Sequence, residues 1–301
     1  MTNPATVVGL GEILWDLLPS GPQLGGAPAN FAYCSHLLGD RGIIASRVGR
    51  DQLGEDICES LKKAGIPNGF VQSDDSRPTG TVRVEVDSSG QPKFEITQPT
   101  AWDYLEWTKD WNDLAKSADA VCFGSLAQRS EKSRTTILKF LEAAQPNAVV
   151  MFDVNLRQEF FSAEIICQSL RRANAMKLND EEVPRVKELL AITAKDDILF
   201  CRSIMERFDL KLICITRGAK GSLLCNRRET HEHTGYRVKV KNTVGAGDAF
   251  TAALVHEYLR LRTLAEMNDI ANRMGAWVAS HSGAMPESPE YGLDKALADI
   301  G

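Results

Sequence analysis

No apolar run in this chain is long enough to cross a bilayer, which excludes a helical membrane span. Paired cysteines are missing too. The seven cysteines are an odd number, none stands in a Cys-x-x-Cys spacing, and Cys122, Cys214 and Cys225 sit inside apolar stretches. That pattern excludes a disulfide framework and a zinc finger, and it predicts buried, reduced thiols in a cytoplasmic protein. Positive charge is not in excess: 35 Lys and Arg against 40 Asp and Glu leave a net charge of −5. Nucleic acid is therefore not expected as the main partner. The first six residues lack a positively charged stretch, so no secretory leader is expected. Internal repeats and low-complexity segments are absent. A third glycine is missing as well. Gly9-x-Gly11 follows a strand-like run, but Leu14 stands where a dinucleotide fingerprint needs glycine, and Glu12 would face the pyrophosphate with a charge. A nicotinamide oxidoreductase is excluded on that ground.

What is present is an ordinary globular composition, 43% hydrophobic and 25% charged over 301 residues, enough for a large core. Ala120–Ser125 and Ala148–Asp153 are continuous apolar runs, as expected of parallel strands buried on both faces. A charged helical stretch, Glu131–Ala144, lies between them. Strand, helix and strand in alternation predict a doubly wound α/β fold, mostly parallel, with helices on both faces. Thr81–Val86 and Lys93–Thr97 alternate instead, around a Ser88-Ser89-Gly90 turn, and predict an antiparallel hairpin.

The stretch Asn242-Thr243-Val244-Gly245-Ala246-Gly247-Asp248 is the centre of the chemistry. A basic, β-type run, Arg237–Lys241, precedes it, and a helix expected over Asp248–Leu261 follows. Glycines at a helix start let the backbone approach a ligand, and the unpaired first N–H groups there form a nest for phosphate. A carboxylate in that nest repels phosphate, so Asp248 makes sense if it takes a proton from a hydroxyl that attacks the phosphate. The alternative is a helix-start carboxylate favoured by the dipole.

Other stretches carry weaker chemistry. Gly25-Gly26-Ala27-Pro28-Ala29-Asn30 opens a helix expected over Phe31–Leu38, and the Asn30 amide suits a vicinal diol. Asp16 is either an exposed loop carboxylate or a contact to hydroxyls. Asp153-x-Asn155-x-Arg157 ends a central strand, where open α/β sheets bind ligands, and Arg157 suits an oxyanion. Asn179-x-x-Glu182 and Thr216-x-Gly218-x-x-Gly221 follow two further strands.

Taken in order, these motifs resemble the ribokinase-like, phosphofructokinase B-type family of carbohydrate kinases over essentially the whole chain. The match is closest to its fructokinase branch, in Gly25–Asn30 and Asp153–Arg157. The resemblance implies one domain spanning 1–301, with lid strands inserted at about 12–24 and 80–100. It implies ATP-dependent phosphorylation of a sugar hydroxymethyl group, fructose first. Ribose, 2-keto-3-deoxygluconate, a nucleoside, or a non-catalytic regulator on the same fold stay open. Asp248 would be the catalytic base, and Gly245, Ala246 and Gly247 would supply the anion hole. Asp16, Gly25, Gly26, Asn30, Phe94 and Arg157 would bind the sugar. Thr216, Gly218, Gly221 and Asn272 would meet the nucleotide, and Asn179 and Glu182 would hold Mg²⁺ through water. Asn242 stands where the family usually has an aspartate beside a K⁺ site, so only weak K⁺ binding is expected. A homodimer through the lid is also implied.

Overall fold

The computed structural model describes residues 4–18, 21–86 and 92–301; for 84–86 and 92–94 it describes the backbone alone. The chain begins with β1 (Thr6–Leu10), β2 (Leu14–Leu18), β3 (Gly21–Gly25) and α1 (Ala27–Leu37). There follow β4 (Arg41–Gly49), α2 (Gln52–Lys63), β5 (Val71–Asp74), β6 (Gly80–Val86) and β7 (Pro92–Ile96). Helices and strands then alternate: α3 (Lys109–Ser117), β8 (Ala120–Phe123), α4 (Glu131–Ala143), β9 (Val149–Asp153), α5 (Ala163–Arg172) and β10 (Ala175–Asn179). After α6 (Glu182–Leu189) and α7 (Asp197–Phe208) come β11 (Leu212–Thr216), β12 (Ser222–Asn226) and β13 (Thr230–His233). The chain closes with α8 (Ala246–Leu259), α9 (Leu264–Ala279) and α10 (Leu293–Ala298).

Nine strands form one sheet in the order β13-β12-β11-β10-β9-β8-β1-β4-β5. From β11 to β5 every pairing is parallel, and β12 and β13 add an antiparallel edge. Alternate residues of the central strands point to opposite faces. Val8, Val121, Phe123, Val150 and Phe152 meet one face, packed with side chains of α3 to α7. Val7, Ala120, Cys122, Val149 and Met151 meet the other, packed with α1, α2, α8, α9 and α10. This double burial is why these strands read as unbroken apolar runs. Phe123 and Phe152 stack across β8 and β9 with ring centres 5.2 Å apart.

The order of strands reverses at β1, which lies between β4 and β8. A crevice opens at such a switch point, beyond the C-terminal ends of the strands. Glu12 follows β1 there, and Gly124 and Ser125 follow β8.

A second, four-stranded sheet has the order β3-β2-β6-β7 and fits a lid. β2 pairs antiparallel with β3 and parallel with β6, while β6 and β7 form the expected antiparallel hairpin. The Ser88-Ser89-Gly90 turn and the Phe94 side chain lie outside the described residues.

Three expectations need correction. Arg237–Lys241 is not a strand: among the described residues no strand pairs with it, it runs irregularly along the cleft, and Val240 is 57% exposed. The helix after Gly25-Gly26 starts four residues before Phe31, at Ala27, because Pro28 in its first turn needs no N–H partner. Helix α8 begins at Ala246 rather than Asp248, so Asp248 lies inside its first turn. Asp51 caps α2, accepting from Gly54 N at 2.9 Å. Among the described residues, no helix is long and apolar enough to cross a membrane.

Candidate active site

The start of α8 is built by backbone that only glycine tolerates. Gly245 has φ +79°, and a Cβ there would stand 2.4 Å from the Ala284 Cβ. The first intrahelical bond runs from Ala249 N to Gly245 O, 2.9 Å. Of the amides before it, those of Gly247 and Asp248 are therefore orphan donors of the helix. Ala246 N also reaches Thr243 O at 3.2 Å, which closes the turn. Below the turn lies Lys177 Nζ, 3.1 Å from where a Gly247 Cβ would be.

Asp248 points from this first turn toward α1, where Asn30 Nδ2 donates to its Oδ2 at 2.7 Å. Burial, helped by the charge of Asp153, raises the Asp248 carboxyl to about 6. Lys177, the Asn30 bond and Arg157 oppose that rise. The group is thus a carboxylate at neutral pH but a stronger base than an exposed aspartate.

A cleft of about 1330 Å³ runs past Asp248. At one end it is lined by Glu12, Asp16, Gly26, Asn30 and Arg157. Gly26, at φ +106°, lies so close to the turn between β1 and β2 that a Cβ would stand 2.5 Å from Glu12 O. A Cβ on Gly25 would stand 2.4 Å from Asp16 Oδ2, so the bare backbone makes room for that carboxylate. Burial raises Asp16 to about 6, opposed by Arg157. Arg157 is exposed, donates to Leu156 O at 3.3 Å, and its charge reaches Asp16, Glu12 and Asp248.

At the other end the cleft is lined by Asn179, Thr216, Gly218, Gly221, Tyr236 and Asn272. Gly221, at φ +82°, is forced, since a Cβ would stand 1.9 Å from His233 O. Asn272 lines this end too, with its amide nitrogen turned into the protein, donating to Ser222 Oγ at 2.8 Å and Asn268 O at 2.7 Å.

This layout has known counterparts. A family model described as "pfkB family carbohydrate kinase" matches residues 22–290. The chain belongs to that family. A fructokinase of Klebsiella pneumoniae is 31% identical over 300 residues, covering 93% of this chain and 95% of its own. A fructokinase of Escherichia coli is 29% identical over 300 residues, with the same coverages. A sugar kinase of Pyrococcus horikoshii, solved in complex with ATP, superposes with a TM-score of 0.77 at 28% identity, covering 93% of each chain.

Within this pfkB-family chain, Asn179 and Glu182 form a closed pair. Asn179 Oδ1 accepts from Glu182 N at 2.8 Å, and Glu182 Oε2 accepts from Asn179 N at 2.9 Å. Glu182 Oε1 accepts from Leu156 N at 2.7 Å. Glu182 therefore braces the Leu156–Arg157 turn, while Asp180 and Glu181 line the cleft beside Asn179. Each bonded oxygen keeps a second lone pair. Together with the neighbouring carboxylates, this donor set suits a hydrated Mg²⁺, which keeps several waters. Asn242 Oδ1 accepts from Val244 N at 3.0 Å, so its one oxygen holds the loop's own turn.

The buried pair Asp153 and Lys177 carries the site from below and has no counterpart in the sequence reading. Lys177 Nζ donates to both Asp153 oxygens at 3.1 Å. Burial alone would lower the lysine, but Asp153, Asp248 and Glu182 outweigh it and hold Lys177 well above its ordinary value. Thr251 Oγ1 lies 3.0 Å from Asp153 Oδ2 and 2.9 Å from Gly247 O, so the pair is tied to the first turn of α8. The available signal was a lysine inside an apolar strand next to an aspartate ending another.

Proposed function

We propose that the chain transfers the γ-phosphoryl group of ATP to a hydroxymethyl group of fructose. The observation that carries this is the place of Asp248. It sits in the first turn of an orphan-amide helix, bonded to Asn30, where the two ends of the cleft meet. The sugar lies at the Asp16, Gly25, Gly26 and Asn30 end, under the second sheet. The nucleotide lies along Thr216, Gly218, Gly221 and Asn272.

Asp248 accepts the proton of the attacking hydroxyl as the O–P bond forms and the bond to the ADP leaving oxygen breaks. The Gly245 and Gly247 amides at the start of α8 face the charge on the transferring group, Ala246 holds the turn through its bond to Thr243 O, and Lys177 adds positive potential from beneath. When bound, Mg²⁺ would neutralise phosphate charge beside Asn179, Asp180, Glu181 and Glu182. Positioning and electrostatics are what phosphoryl transfer asks of a protein. The 31% and 29% identity to fructokinases supports fructose as the acceptor.

A coupled ADP-release assay over fructose, ribose, 2-keto-3-deoxygluconate and a nucleoside tests the choice of sugar. Fructose should give the highest kcat/KM. Asn30→Ala should raise the sugar KM at least ~10-fold, since it leaves hydroxyls and Asp248 without a partner, and should leave the ATP KM nearly unchanged. Preference for another sugar would overturn fructose while leaving the kinase assignment intact.

Asn242 bears on monovalent activation. Its oxygen is neutral and already accepts from Val244 N. A cation site without a carboxylate binds weakly. Titrating K⁺ into sodium-free buffer at constant ionic strength should change kcat less than about twofold. Saturable activation at low millimolar K⁺ would contradict this.

A further inference from the structure

Helix α1 reaches the first turn of α8 by two routes. One is direct: Asn30 Nδ2 donates to Asp248 Oδ2 at 2.7 Å. The other starts one turn further along α1, at Tyr33. Residues three apart share a helix face, so Asn30 and Tyr33 lie on the same side of α1. Tyr33 is 6% exposed, and its hydroxyl donates to Pro286 O at 2.6 Å in a buried bond. Burial, with Cys34 and Glu287 adding to it, raises the phenol to about 12, so it carries its proton at any working pH.

Pro286 belongs to an irregular stretch, 281–290, that follows α9 and has no helix or strand of its own. Among the described residues, the bond from Tyr33 is the one hydrogen bond that joins 282–288 to the rest of the chain. The same stretch presses on the start of α8. A Cβ on Gly245 would stand 2.4 Å from Ala284 Cβ and 2.7 Å from Ala284 Cα, so the loop lies against the residue that turns the chain into the helix. The conformation of Gly245 aims the N–H groups that follow it. Amides that meet a transferring phosphoryl group are effective only when they are held in place beforehand. Glycine has no side chain to anchor and a wide choice of backbone conformations. Ala284 holds Gly245 on this side, and Tyr33 holds the loop that carries Ala284.

We propose that Tyr33 is a positioning residue: through Pro286 and Ala284 it clamps Gly245, so that α1 sets both the base, by Asn30, and the amides that face the phosphoryl group, by Tyr33. This deepens the phosphotransferase reading of the cleft and rests on it. Tyr33 is not among the residues that line the cleft, so its effect should fall on turnover and not on substrate affinity.

The test pairs Tyr33→Phe, which removes the hydroxyl and keeps the ring, with Ala284→Gly, which removes the methyl set against Gly245. Each should lower kcat about 10-fold and leave the KM for ATP and for sugar within about twofold. Together they should still lose about 10-fold, since they cut the same link; independent losses would multiply to about 10²-fold. Amide exchange followed by NMR gives a readout that a residue merely supporting the fold would not move. In Tyr33→Phe the amides of Ala246 and Ala249, bonded to Thr243 O and Gly245 O, should exchange at least ~5-fold faster relative to those of β9 and β10. Wild-type kcat in Tyr33→Phe, multiplying losses in the double variant, or unchanged relative exchange overturns the proposal. If Tyr33→Phe does not fold, Tyr33→His, whose ring is too short to reach Pro286 O, takes its place under the same criteria. If no sugar elicits ADP release from wild type, the phosphotransferase reading fails, and the exchange rates alone decide whether Tyr33 holds the turn.

Discussion

Asp248→Asn lowers kcat by at least ~10²-fold and leaves ATP affinity within about twofold of wild type. The amide keeps the size of the carboxylate, and its oxygen can still accept from Asn30 Nδ2, now 2.7 Å from Asp248 Oδ2. What it loses is the capacity to take a proton. The loss should therefore fall on kcat and kcat/KM alike, with little effect on the nucleotide. The wild-type pH profile should follow from the same group. Burial raises Asp248 to about 6, so the base is protonated and idle below that pH, and kcat should climb as pH rises through about 6. Asp16 titrates in the same range and Glu12 near 7, so the limb of kcat/KM is expected to be broader than one proton. In Asp248→Asn the limb of kcat near pH 6 should vanish. Wild-type turnover in that variant, measured by ADP release at saturating sugar, would remove Asp248 from its role.

The second large effect is expected at Lys177. Lys177→Met leaves Asp153 as an uncompensated buried charge, which should cost about 3–5 kcal/mol of stability in urea unfolding. It also takes positive charge from beneath Gly247 and from Asp248, whose carboxyl should move up and carry the kcat limb to higher pH. Asp153→Asn combined with Lys177→Met removes both charges while keeping an acceptor for Thr251. Most of the lost stability should return, because replacing a whole buried pair is often close to neutral. Activity should not return with it. If the double variant regains both stability and turnover, the pair is a packing device alone.

Much of this fold was legible because both faces of its central strands are buried. Ala120–Ser125 and Ala148–Asp153 announce parallel strands by the absence of alternation, and Thr81–Val86 announces a hairpin by its presence. The turn at Gly245–Asp248 was legible because backbone chemistry dictates it: φ +79° and a 2.4 Å approach exclude any other residue at Gly245. What the sequence hides is register. Lys177 and Asp153 are 24 residues apart and meet only because β9 and β10 pair Asp153 with Lys177. Glu182 reads as an acidic helix start open to a metal, yet one of its oxygens crosses to the Leu156 backbone, 26 residues away. Arg237–Lys241 has the composition of a strand and no neighbour to pair with, so tertiary context overrides propensity there. Asn272 lies in the cleft with its nitrogen facing inward, a rotamer choice made by Ser222 and Asn268.

The most direct test is sugar-dependent ADP release by the wild-type protein, run beside Asp248→Asn, with the phosphorylated product located by NMR. The account predicts ADP formation that requires the sugar, a phosphate on its hydroxymethyl oxygen, and the loss of both in Asp248→Asn. ADP release that is indifferent to every sugar in the panel, or equal in the two proteins, would contradict it.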